Sequence, residues 1–172
     1  MKKILINKIR NKEVTIGVIG LGYVGIPLIK RFVDEKFNVI GFDNDTKKIK
    51  LLKKSISYIK HISDETIKSI ISKKFTATSN YKIIKDVDII IICVPTPLKY
   101  NRIPDLSYIK SSITSILPYV RKGQTIVLES TTYPGTTEEE ILIPIQKKNL
   151  TPGKDFFIVY SPEREDPGNI NF

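Results

Sequence analysis

The chain has 172 residues, 41% hydrophobic and 27% charged, and no apolar run near the roughly 18 residues that a membrane span needs. It has one cysteine and one histidine, so an intramolecular disulfide and a cysteine-based metal cluster are excluded. A formal charge of +10 favours anionic ligands, but the lysines (Lys47, Lys48, Lys50, Lys53, Lys54, Lys68, Lys73, Lys74) lie along predicted helices without an arginine-rich tract, which predicts solvated faces and no nucleic-acid interface.

Residues 1–13 are polar and basic and read as an N-terminal extension; they lack the apolar core and small-residue site of a signal peptide, so a cytoplasmic location is expected. The fold is expected to begin at Val14 and to run as one domain over 14–172. Val14 to Ile19 reads as a first strand, followed by a helix over Val24 to Lys36 with Ile26, Ile29, Phe32 and Val33 at helical spacing. Asn38 to Asp43 reads as a second strand, and Thr46 to Lys54 as a helix behind polar Asn44-Asp45. Ser63 is the expected N-cap of a helix ending near Ser72.

Phe75 to Thr78 predicts a short strand, and Val87 to Val94 has the continuous apolar character of a central parallel strand covered on both faces. A helix over Leu106 to Leu117, a turn at Gly123 and a strand over Thr125 to Leu128 follow. Thr136 with Glu139 predicts a capping box for a helix toward Lys148, in which Pro144 predicts a kink or early end. Phe156 to Tyr160 is the last expected strand. Alternation of strand and helix predicts an α/β fold, a Rossmann-type doubly wound parallel sheet with helices on both faces, whose ligands collect beyond the carboxyl ends of the strands.

Gly20-Leu21-Gly22-Tyr23-Val24-Gly25 follows the first strand directly, and Asp43 ends the second. Strand, glycine turn, helix, strand and carboxylate within about 30 residues form a dinucleotide-binding fingerprint. Gly20 permits the tight turn, Gly22 the close approach of a pyrophosphate, and Gly25 close packing of helix on sheet. The helix N-terminus offers amides to the phosphates, and Asp43 offers acceptors to the adenosine ribose while repelling a 2′-phosphate. NAD is therefore the expected cofactor. Cys93, at the end of an apolar run, reads as a buried strand residue, and His61 as a surface residue.

Further segments carry a resemblance: Val94-Pro95-Thr96-Pro97, Glu129-Ser130-Thr131-Thr132 with Pro134-Gly135-Thr136-Thr137, and Ser161-Pro162-Glu163. With the glycine turn through Ile26-Pro27 they resemble the NAD-binding domain of the nucleotide-sugar 6-dehydrogenase family, which includes UDP-glucose and GDP-mannose dehydrogenases. The segment Ser57-Tyr58-Ile59 and the ending Ser161 to Asn169 look most like the UDP-N-acetylglucosamine 6-dehydrogenase branch.

The resemblance implies a UDP-sugar substrate, oxidised at C6 from alcohol through aldehyde to carboxylate by two successive hydride transfers to NAD, with the aldehyde held as a thiohemiacetal on a cysteine. It implies that Thr131 positions a water and that Glu163 assists proton movements, with Glu163 and Arg164 facing substrate. It also implies that Tyr23, Val24, Val94, Pro95, Thr96, Ser130 and Thr131 line the cofactor, and that Lys48 flanks the adenosine ribose. Each has a plainer reading: strand-end hydroxyls in local turns for Ser130 and Thr131, a solvated carboxylate for Glu163, a surface cation for Lys48. Pro167 stands where the UDP-glucose branch often has a second Glu, which removes that role.

In the family, the nucleophilic cysteine, a dimerising central helix and the sugar-nucleotide domain lie downstream of the region resembled, so the resemblance implies a cofactor half, inactive alone, of a homo-oligomeric enzyme of surface polysaccharide synthesis. A stand-alone NAD-binding or sensing module, or a fragment of another Rossmann dehydrogenase, is the alternative.

Overall fold

The computed structural model describes residues 1–71, 74–100 and 102–162. Six short strands are all parallel: β1 (Thr15–Ile19), β2 (Asn38–Phe42), β3 (Phe75–Thr78), β4 (Ile89–Ile92), β5 (Thr125–Leu128) and β6 (Phe157–Tyr160). Their order across the sheet is β3-β2-β1-β4-β5-β6. The chain therefore winds outward one way through β1, β2 and β3, then returns to the centre and winds the other way. The reversal lies between β1 and β4, where Ile19 is in register with Ile92. Crevices of doubly wound sheets open at such a point, at the carboxyl ends of the strands.

Alternation along the strands sends successive side chains to opposite faces, and each face finds a cover. Ile16 and Val18 of β1 join a core with Ile26, Ile29 and Val33 of α2 (Gly25–Asp34), Ile49 and Leu52 of α3 (Thr46–Lys53), and Ile67 and Ile70 of α4 (Asp64–Ile71). On the other face Ile19, Ile90 and Ile92 pack with Ile109, Ile113 and Ile116 of α5 (Ser107–Ile116) and with Ile141 and Ile145. Full burial of each such side chain contributes about 1.5–3 kcal/mol, which explains why β4 is a run of four isoleucines. Ser63 Oγ accepts from the Thr66 amide at 3.2 Å, so it caps α4 as its sequence predicts.

One local expectation is filled in and one corrected. Within the N-terminal extension, residues 1–13, Lys2–Arg10 forms α1, which has no buried residue. Its Leu5 packs against the first core, and Lys8 donates both to Asp88 Oδ1 and to Oδ2 at 2.9 Å. The capping box at Thr136 is absent, since the Thr136 hydroxyl accepts from Thr132 Oγ1 at 2.6 Å and caps no amide. A π-helical segment over Thr137–Leu142 leads into the short α6 (Ile143–Gln146). Pro144 lacks an amide, so the ordinary helical bond to the preceding turn is missing where the π-helical segment passes into α6, which ends at Gln146.

Asp88 closes the amino-terminal end of the sheet. Besides Lys8 it accepts from the Thr15 amide at 3.1 Å and from Arg121 Nη2 at 3.3 Å. Burial alone would raise its pKa, but the Lys8 ammonium, the Thr15 amide and Arg121 together hold the carboxyl below its ordinary value. A depressed folded-state pKa gives stability that is present above the unfolded value of about 3.9 and is lost as pH falls through the folded one. Asp88→Asn is expected to cost about 1–3 kcal/mol near neutral pH and to flatten the acid limb of the stability curve. Urea melts between pH 3 and pH 7 check both effects.

Candidate functional site: a cleft at the sheet switch point

The chain leaves β1 through Gly20, whose φ of +98° lies in the left-handed region and whose missing Cβ would fall 2.6 Å from the Cys93 carbonyl oxygen. Two steps are thereby reserved for glycine: the turn itself and the approach of β1 to the end of β4. Gly25 opens α2 with a Cβ position only 1.9 Å from the Gly20 carbonyl oxygen, so any side chain would push the helix off the strand. Gly22 differs from both. Nothing lies within 4 Å of its Cβ position, and the space it leaves opens into the cleft.

That cleft holds about 710 Å³, within the range of small-molecule sites. It gathers residues from four strand ends. Gly20, Gly22, Tyr23 and Val24 come from the turn after β1, and Asp43 and Lys48 from the end of β2 and the start of α3. Val94, Pro95 and Thr96 follow β4, while Ser130 and Thr131 follow β5. Every described residue read from the sequence as lining the cofactor is thus brought together except Gly25. Gly25 is buried behind the turn and acts through packing. Glu163 and Arg164 lie outside the described residues.

Asp43 is held in place from several sides. Its Oδ2 accepts from the Leu21 amide of the glycine turn at 3.0 Å and from Lys48 Nζ at 3.0 Å, and its Oδ1 accepts from the Asp45 amide at 2.8 Å. The carboxylate is therefore pre-oriented by the turn it must work with, and Lys48 is its ion-pair partner rather than a free surface cation. Asp45 in turn caps α3 by accepting from the Lys47 amide at 2.8 Å. At the far end, the Thr96 hydroxyl donates to the Thr131 carbonyl at 2.7 Å and Ser130 Oγ donates to the Val94 carbonyl at 2.7 Å. These cross-links fix the loops after β4 and β5 to one another.

The sequence reading missed the aromatic walls. Tyr58, Tyr81 and Tyr108 all line the cleft. Tyr81 stacks on Phe42 with ring centroids 5.5 Å apart, and burial, then the Asp43 charge, push its phenol up to about 12. Its signal was its place right after Asn80, which caps the 3-10 turn Tyr81–Asp86 by accepting from the Lys82 amide at 3.1 Å. Cys93 is buried, as expected, but it also reaches the cleft. His61 is exposed and lies beside the Tyr23 ring, 5.5 Å between centroids. No group of three metal-binding side chains occurs among the described residues, and no described helix is long and apolar enough to cross a membrane.

A cleft at the switch point of an all-parallel sheet, with a side-chain-free approach over Gly22, the turn into α2 along its wall and a carboxylate at the end of β2, fits a dinucleotide and defines a Rossmann-type cofactor-binding domain. Residues 14–172 match the UDP-glucose/GDP-mannose dehydrogenase family, NAD binding domain, and the chain belongs to that family, whose cofactor is NAD. It is 39% identical over 155 residues to protein CapL of Staphylococcus aureus, covering 90% of this chain and 36% of that protein. Against the UDP-N-acetyl-D-glucosamine 6-dehydrogenase of Salmonella typhi it is 38% identical over 159 residues, covering 91% and 36%. The solved structure of the UDP-D-ManNAc dehydrogenase of Pyrococcus horikoshii superposes with a TM-score of 0.82 at 33% identity, covering 90% of this chain and 37% of that one. The chain spans little more than a third of the length of these relatives.

Proposed function

We propose that this cleft is the NAD site and that the domain is the cofactor half of a UDP-sugar 6-dehydrogenase. The observation that carries the reading is the open space over Gly22 facing a carboxylate, Asp43, that the same turn holds through the Leu21 amide. Asp43 takes the adenosine ribose with Lys48 beside it, while Gly20, Gly22 and the amides of Tyr23 and Val24 take the pyrophosphate. Val94, Pro95, Thr96, Ser130 and Thr131 border the nicotinamide end. When bound, NAD supplies the hydride acceptor. Thr131, at the rim and tied by its carbonyl to Thr96, positions water near the reacting carbon. The resemblance of Ser161-Pro162-Glu163 to the family's motif supports a proton-transfer role for Glu163 and a substrate-binding role for Glu163 and Arg164.

For the substrate we infer UDP-N-acetylglucosamine, supported by the Ser57-Tyr58-Ile59 segment and by the name of the Salmonella typhi relative. UDP-N-acetylmannosamine is the second reading, favoured by the similarity to the Pyrococcus horikoshii structure. The nucleophilic cysteine belongs to the other half, so the 172-residue chain alone turns over neither sugar. The full product of its reading frame is expected to form two NADH per UDP-N-acetylglucosamine and the isolated chain none. Turnover by the isolated chain, or one NADH per sugar, contradicts the reading; faster turnover of the manno sugar moves it to the second substrate. A frame that stops at Phe172 and a chain that binds NAD without turnover would instead favour a stand-alone cofactor-binding module.

A further inference from the structure

The glycine turn is held at three points, and one of them comes from a segment with no assigned part in cofactor binding. Leu21 sits in the middle of the turn with its side chain fully buried. Its amide donates to Asp43, and its carbonyl accepts from the phenol of Tyr58 at 2.5 Å. Tyr58 lies in the connection between α3 and α4, thirty-seven positions from Leu21. The connection is itself fixed on both sides of the tyrosine. The Ser57 amide donates to Asp64 Oδ1 at 2.6 Å, at the start of α4, and Ile59 is buried in the first core. The ring of Tyr58 packs against that same core.

We propose that Tyr58 is a positioning residue for the pyrophosphate subsite: its hydroxyl braces the Leu21 carbonyl and keeps the peptide plane of Leu21-Gly22 turned so that the amides after it face the cofactor. The inference rests on reading the cleft as the NAD site. A peptide plane gripped at its oxygen cannot rotate without breaking that bond, and rotation here would reorient the Gly22 amide within a turn that lines the cleft. The phenol suits this work because it stays protonated: burial, then the charges of Asp43 and Asp45, raise its pKa further above the working range. Without the brace the competent turn is only one of several conformers, and apparent affinity falls by the fraction lost.

Tyr58→Phe keeps the ring and its packing and removes only the hydroxyl. Calorimetry on the full chain is expected to show NAD and ADP-ribose binding weakened about 5- to 10-fold, the worth of one hydrogen bond, with adenosine within about twofold of the unsubstituted chain. Hydrogen exchange of the Leu21 amide, which donates to Asp43 in the same turn, is expected to speed up without ligand, which a direct contact between Tyr58 and the cofactor would not cause. NAD affinity unchanged in Tyr58→Phe, or adenosine weakened as much as ADP-ribose, overturns the brace. If the unsubstituted chain binds no NAD while Tyr58→Phe still speeds exchange at Leu21, the reading of the cleft falls and the brace stands as a property of the turn.

Discussion

Gly22→Ala is expected to leave the fold intact and to remove most of the affinity for NAD, whereas Gly25→Ala is expected to lose both. The two glycines lie three positions apart in one turn and face opposite ways. The Gly22 Cβ position has no neighbour within 4 Å and its φ lies outside the left-handed region, so alanine there meets no steric or backbone penalty in the free protein. A thermal melt should move by no more than about 2 °C. The added methyl occupies the space through which the pyrophosphate reaches the helix amides. An overpacking cost of about 2–3 kcal/mol in the complex corresponds to roughly 30- to 150-fold in Kd.

At Gly25 the methyl would lie 1.9 Å from the Gly20 carbonyl oxygen, and because that atom is backbone neither partner can turn aside. The helix must move off β1, at a cost of about 3 kcal/mol or more and a fall in Tm of roughly 6–12 °C. Paired melts and titrations of the two variants check the contrast. Equal loss of stability in both would mean that Gly22 is a structural glycine like its neighbour.

Asp43→Asn is expected to reverse the choice between NAD and NADP. On the proposed reading the charge on Asp43 serves a ribose hydroxyl and repels a phosphate; it also holds Lys48, 3.0 Å away. The amide of asparagine still offers one oxygen to the Leu21 or the Asp45 amide, so the turn keeps part of its support. Lys48, however, is released beside the position that a 2′-phosphate would take. Loss of a charged hydrogen bond should weaken NAD about 10-fold, and a new charge-assisted contact should strengthen NADP about 10-fold, moving the ratio roughly 100-fold. Asp43→Asn with Lys48→Ala separates the parts: NAD remains weak, and the gain for NADP disappears. An unchanged ratio in the single variant would remove Asp43 from the ribose site.

The legible features of this chain are those written in local periodicity. Apolar runs such as Ile89–Ile92 declare buried parallel strands, and a glycine turn followed by a strand-end acid declares the cofactor crevice. Side chains whose role depends on distant partners were hidden. Tyr58 is one tyrosine in a polar connection until the fold lays it against Leu21, and Tyr81 becomes a cleft wall only when Phe42 stacks beneath it. Helix α1 shows the same limit, because the ion pair of Lys8 with Asp88 that helps to hold it joins residues eighty positions apart. Thr136 shows the converse: a capping pattern was present, but the Thr132 hydroxyl, on the same loop, claims the threonine oxygen. Lys48 carries a cofactor reading and a surface reading side by side in the sequence, and the fold adds that it is paired with Asp43.

The most direct test of the cofactor site is a calorimetric titration of the 172-residue chain with NAD and, in parallel, with NADP. Saturable binding of one NAD per chain, with NADP at least about 10-fold weaker, is the predicted result. A folded chain that binds neither, or binds NADP as tightly as NAD, would contradict the assignment of the Gly22 opening and the Asp43 carboxylate as the place where NAD is held.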